Sequence, residues 1–70
     1  MNAAPSRALP EHLTVVMTLA ASAWRLRRAA RQALAAGEFA RTRGLASQAQ
    51  QICYTPAGRK LEELGAWLAG

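Results

Sequence analysis

The run Ala33-Leu34-Ala35-Ala36-Gly37-Glu38-Phe39-Ala40 joins the end of one helix to the start of another with almost nothing between them. A glycine just past a periodic helical run is the usual left-handed C-terminal cap. Glu38 then offers a negative charge to the positive end of the next helix dipole. A corner this short turns the chain back on itself, so the two helices must lie antiparallel and in contact. No segment alternates polar and apolar residues as a strand would. The sequence therefore predicts an all-α fold. A long first helix forms an antiparallel hairpin with the second, and a short third helix docks on it.

The first arm of the hairpin is unusually long. From Glu11 to Ala36 no glycine or proline interrupts, and Pro10 suits the first position of a helix, with Glu11 near its positive end. One helix over about 10–36 is expected, against a mean near 11–12 residues. At 100° per residue, Val15, Val16, Leu19, Ala23, Leu26, Ala30, Ala33 and Leu34 fall within one third of the wheel and form the predicted core stripe. Thr14, Thr18, Arg25, Arg28 and Gln32 line the opposite side. Leu13, Met17, Ala20 and Trp24 share a separate edge, so the first half of the helix is apolar over a wider arc than one neighbour would cover, which reads as a second contact surface.

The second helix is expected over about 38–53. Phe39, Thr42, Leu45, Ala46, Ala49, Ile52 and Cys53 form its inward stripe, while Arg43, Ser47, Gln50 and Gln51 face out. Gly44 lies inside this span at a cost of about 1 kcal/mol, which suggests a close approach to the first helix. Thr55 is a good N-cap with Pro56 at the first helical position. A third helix over about 56–69 follows, with Ala57, Leu61, Leu64 and Leu68 at helical spacing and Gly58 and Gly65 weakening it. Residues 1–9 read as a flexible lead-in, and 10–70 as a single three-helix domain.

The core such a chain can build is thin. Seventeen of its 70 residues are alanine, and 17 are large apolar ones. Alanine brings helices close but buries little area, at roughly 25 cal/mol per Å². A domain of this size is marginal without a staple, and Cys53, the lone cysteine, cannot provide one. Its place on the second helix's stripe points to a buried thiol. A reducing, cytoplasmic setting is compatible. A partner, self or foreign, is the expected source of the missing core.

Reaction chemistry is not expected. The chain has no aspartate, four glutamates and a single histidine, His12, whereas metal sites and acid–base pairs need several such groups converging. Glu62 and Glu63 are adjacent and project about 100° apart on a helix. No Gly-rich phosphate loop is present. No catalytic residue, metal ligand or cofactor is therefore assigned. The longest weakly polar run, Leu13 to Trp24, is well short of the ~20 residues of a spanning helix.

The net charge of +5 is unevenly placed. Arg25, Arg27, Arg28, Arg31, Arg41 and Arg43 stand against Glu38 alone around the corner, and the rest of the chain sums to zero. Such patterning bears on association. The candidate partner-binding set is Leu13, Met17, Ala20, Trp24, Arg25, Arg28 and Arg31, together with Leu64, Trp67 and Leu68 of the third helix. The expected partner is a protein, either an acidic surface or a second helical subunit, with a homo-oligomer as one form. The alternative is a small nucleic-acid-associated protein that uses the arginine collar and Trp24.

The span from Leu26 to Leu64 resembles a tetratricopeptide unit, whose helix–turn–helix repeats every ~34 residues with small residues where the helices cross. Gly37-Glu38-Phe39 resembles that family's turn. Ala30 and Ala49 take its small positions, and Pro56 lies near the proline that opens the next unit. Leu26 and Ala33 stand where the family has tryptophan and tyrosine, and Thr42 and Ala46 where it has alanine and a large aromatic. The resemblance implies an isolated unit that stacks on an external partner. In size and build the chain is also similar to small helical-hairpin chaperones of bacterial secretion systems. An adaptor, co-chaperone or assembly subunit is the implied role.

Overall fold

A computed structural model describes residues 10–70, so the lead-in expected over residues 1–9 lies outside the described residues. Three helices follow one another: α1 (Glu11–Ala35), α2 (Phe39–Ile52) and α3 (Pro56–Ala69). The boundaries match the sequence reading to within a residue or so. Pro10 sits one place earlier than expected, as the N-cap, where its carbonyl accepts from the Leu13 and Thr14 amides at 3.0 and 3.1 Å.

The corner forms as its residues dictate. Gly37 adopts φ +78°. The Glu38 amide donates to the Ala33 carbonyl at 2.8 Å and the Gly37 amide to Leu34 at 3.0 Å. That pair of bonds is the Schellman closure, which satisfies carbonyls the helix end would otherwise leave unpaired. α2 starts at once: the Glu38 carbonyl accepts from both the Thr42 amide and the Thr42 hydroxyl, at 2.9 and 2.8 Å.

α2 is the central element. α1 packs along one side of it and α3 along another, while α1 and α3 scarcely meet. The buried core is made of small residues: Ala23, Ala30 and Ala33 from α1, and Thr42, Ala46 and Ala49 from α2. At ~0.8 kcal/mol per buried methyl, five alanines contribute about as much as two fully buried leucines. The thin core expected from composition is what the hairpin has.

Several expectations fail in informative ways. Val15, Val16 and Leu19, assigned to the core stripe, are exposed. They have the right azimuth but the wrong height. α1 has 25 residues and α2 has 14, so at 1.5 Å per residue α1 extends about 16 Å beyond its partner. Ile52, at the last turn of α2, is exposed at the same step, and Cys53 is half-buried instead of buried.

Gly44 approaches nothing: a Cβ there would meet no atom within 4 Å. The close approach occurs instead between α2 and α3, at the two glycines read only as weak points. Gly58 and Gly65 are the buried residues of α3. A Cβ on Gly65 would stand 2.7 Å from the Arg43 amide nitrogen and 3.0 Å from the Phe39 carbonyl oxygen, and one on Gly58 would overlap the Gln50 carboxamide. Spaced seven apart, the two glycines share one face. This rotates α3 away from the expected stripe, so Ala57, Leu64 and Leu68 are exposed and only Leu61 is half-buried.

The α2–α3 connection is held by polar side chains. Thr55 caps α3, its hydroxyl accepting from the Gly58 amide at 3.0 Å, with Pro56 at the first turn. Gln50, assigned to the outer face, is half-buried and clamps Thr55 from both sides. Its Nε2 donates to the Thr55 carbonyl and its Oε1 accepts from the Thr55 amide, both at 3.1 Å. Arg27 reaches across from α1 and donates from Nη1 to the Cys53 carbonyl at 3.0 Å. A cation at a helix C-terminus also complements the dipole.

Candidate protein-interaction surface

Every residue from Glu11 to Ala20 is exposed, and most of that segment is apolar. Leu13, Val15, Val16, Met17 and Leu19 each leave 41–57% of their surface in solvent. The polar side of the same three turns is satisfied internally. The Thr18 hydroxyl donates to the Thr14 carbonyl at 2.9 Å and Thr14 to Pro10 at 3.4 Å, which is the usual habit of threonine in helices. Here the helix presents oil to solvent over more than half its circumference. Contiguous apolar patches of this kind are uncommon on the surface of a monomeric protein.

Leu13, Met17, Ala20 and Trp24 are all exposed, and Arg28 and Arg31 continue their line towards the corner. Arg28 lies over the Trp24 ring, 5.6 Å from its centroid, within the range of a cation–π contact. A shallow open groove lined by Thr14, Met17, Thr18, Ala21 and Arg25 borders this edge. It is walled by α1 alone and encloses no site.

The arginine collar is narrower than its sequence suggested. Arg27 is engaged with Cys53 and is half-buried. Arg41 pairs with Glu38 at 3.7 Å. Among the described residues the other ion pair is Arg59–Glu63, at 3.0 Å on the exposed side of α3. Arg25, Arg28, Arg31 and Arg43 are exposed and outside both pairs. Three of these four stand on α1, directly after Trp24, so the charge forms a short track along one helix and not a ring.

Leu64, Trp67 and Leu68 are exposed, Trp67 at 77%. They do not join the α1 edge. Gly65 lies against Phe39 and Arg43, so the C-terminal half of α3 stands beside the start of α2, at the corner end, opposite the α1 overhang. The expected binding set is therefore two surfaces at opposite ends of the molecule.

Val15, Val16, Leu19, Ile52 and Tyr54 belong with the exposed apolar surface and were not read as such. The signal was present: helices expected over 10–36 and 38–53 cannot cover each other fully. Among the described residues no three His, Cys, Asp or Glu side chains gather as a metal site, and no helix is long and apolar enough to cross a membrane. Compared with family models, with curated proteins and with solved structures, the chain matches none.

Proposed function

We propose that this chain is a small basic helical protein-interaction module, an adaptor, co-chaperone or assembly subunit, which completes its core on a partner protein. The observation that carries the reading is the overhang of α1: about three turns of helix, rich in large apolar side chains, with no other element of the described residues beside them. Both tryptophans, Tyr54 and most of the large aliphatic side chains among the described residues are exposed, while the fully buried residues are alanine, threonine and glycine. That inversion suits a protein whose main hydrophobic contact is intermolecular. The Leu13–Met17–Ala20–Trp24 edge supplies the apolar contact, and Arg25, Arg28 and Arg31 beyond it steer an acidic partner. A tetratricopeptide-like role, stacking as a single repeat, is one version of this reading. A bacterial, cytoplasmic chaperone is another. No catalytic role is assigned.

A second reading draws support from one contact. Arg28 on an exposed Trp24, followed by Arg31, is also what a nucleic-acid backbone site would use. Native purification of the tagged chain, with and without nuclease, separates the two. The module reading expects a protein that stays bound after nuclease and is lost from Met17→Glu/Trp24→Ala. Co-purifying nucleic acid, removed by nuclease together with everything else, would overturn it.

A further inference from the structure

We infer that the Trp24 edge of α1 is a seam for one amphipathic helix of a partner protein, apolar over the half that covers Leu13 to Trp24 and acidic over the half that meets Arg28 and Arg31. The inference rests on the module reading and gives the partner its form and its charge.

The apolar and cationic halves of the edge share one azimuth. At 100° per residue, Leu13, Met17, Ala20, Trp24, Arg28 and Arg31 fall within about 80° of one another, and all six are exposed. Ala23, Ala30 and Ala33, buried where α1 packs on α2, lie roughly 100–180° round the helix from Trp24. α2 therefore leaves the seam open along its whole length. Leu13, Met17, Ala20 and Trp24 succeed one another at spacings of four, three and four, the knob positions of paired helices. From Leu13 to Arg31 the seam is about 27 Å long at 1.5 Å per residue, which one helix of about 18–20 residues covers.

The arginine half is prepared for carboxylates. Arg28 sits over the Trp24 ring, 5.6 Å from its centroid, and a guanidinium held by its face keeps the N–H groups of its edge for a bidentate contact. Arg28 and Arg31 lie outside both ion pairs found among the described residues. Glu11, the only acid of α1, is about 25 Å from Arg28 along the axis. Arg27, at the seam position between Trp24 and Arg31, is turned aside to the Cys53 carbonyl. The charge the seam presents is thus that of Arg28 and Arg31, and nothing in α1 answers it.

Other occupants leave one half of the seam unsatisfied. A second copy has no acidic half to offer: of the chain's four acids, Glu38 and Glu63 are paired with arginines of their own chain, Glu62 is half-buried and Glu11 stands alone at the tip of α1. A lipid surface that took up the apolar half and met the arginines at its headgroups would carry the Glu11 carboxylate to the deepest point, where a charge is costly. A nucleic-acid backbone would engage the arginines and Trp24 and leave Leu13 and Met17 in solvent. A protein helix with an apolar and an acidic half answers both ends.

The probe is a synthetic helical peptide of about 20 residues, made in both sequence orders. It carries leucine at the knob positions over one half and glutamate on the same face over the other. Trp24 fluorescence reports binding in a Trp67→Phe background, since Trp67 is 77% exposed at the other end of the molecule. One order should bind with micromolar affinity at low salt, and lysine in place of its glutamates should weaken binding at least ~10-fold. Arg28→Glu/Arg31→Glu alters only exposed positions and should invert that preference. Met17→Glu should weaken binding of the glutamate peptide by a similar factor. No binding of either order at ~500 µM, equal binding of the glutamate and lysine peptides, or a preference that Arg28→Glu/Arg31→Glu leaves unchanged would each overturn the inference. So would a Trp24 response to phosphatidylcholine–phosphatidylglycerol vesicles or to a duplex oligonucleotide in place of the peptide. No peptide binding by a chain whose co-purifying protein is still lost on Met17→Glu/Trp24→Ala would sink the acidic helix and leave the module reading standing.

Discussion

The same substitution should have opposite effects at two glycines of this chain. A Cβ on Gly65 would lie 2.7 Å from the Arg43 nitrogen, 3.0 Å from the Phe39 oxygen and 3.1 Å from the Arg43 Cα. All three are backbone atoms of α2, so no side chain can swing aside. To reach the 3.4 Å of ordinary contact from 2.7 Å, α3 must move out by about 0.7 Å, which loosens the whole α2–α3 seam. Overpacking of this kind costs ~1–3 kcal/mol, offset by ~1 kcal/mol of helix propensity gained on replacing glycine by alanine. Gly65→Ala should therefore destabilise by ~1 kcal/mol net. At Gly44 a Cβ meets nothing within 4 Å, and Gly44→Ala should stabilise by up to ~1 kcal/mol. In a chain this short 1 kcal/mol is ~4–8 °C in Tm, so the two variants should melt on opposite sides of the parent. Circular dichroism melts read the signs, and amide exchange should place the Gly65→Ala loss in α3. If Gly65→Ala is as stable as Gly44→Ala, the close approach of α2 and α3 is refuted.

Gly37→Val should cost at least ~1–2 kcal/mol, because a left-handed backbone penalises any Cβ and a β-branched one most; with nothing crowding the site, Gly37→Asn should recover most of the loss in urea titrations. Arg27→Ala removes a charged, partly buried donor from the Cys53 carbonyl and should cost up to ~1.5–3 kcal/mol, whereas Arg41→Ala, which breaks an exposed pair with Glu38, should change stability by less than ~1 kcal/mol. Thr55→Ala should cost ~1 kcal/mol through loss of the α3 cap, with Thr55→Ser close to the parent.

The local punctuation of the fold was legible because single residues decide it. Gly37 is read from the φ it alone adopts freely, and Thr55-Pro56 from a hydroxyl acceptor ahead of a ring that cannot donate. Periodicity likewise gave the azimuth of Ala23, Ala30 and Ala33. It says nothing of height along the axis, so Val16 and Leu19 shared a stripe with the core and lie outside it. α3 was misread because leucine signals burial by hydrophobicity, while Gly58 and Gly65 are selected for contact by having no side chain. Their seven-residue spacing was the available clue. Gln50 and Arg27 look like surface residues by type; their partners, Thr55 and the Cys53 carbonyl, are backbone groups that only the folded connection exposes. Of the residues proposed for the binding surface, Leu13, Met17, Ala20 and Trp24 are exposed along one edge of α1, while Leu64, Trp67 and Leu68 belong to another end of the molecule.

The central claim is that the first three turns of α1 are an apolar surface waiting for a cover. Residue-resolved amide exchange on the dilute chain tests it most directly. A helix held on one side only by its own continuation opens at low free energy, and Thr14, Val15, Val16 and Thr18 are poor helix formers. His12–Ala21 should therefore exchange far faster than Ala23–Leu34 and than Thr42–Ala49. Protection over His12–Ala21 should appear when a bound partner is added. Uniform protection along the whole of α1 in the dilute monomer would contradict the account.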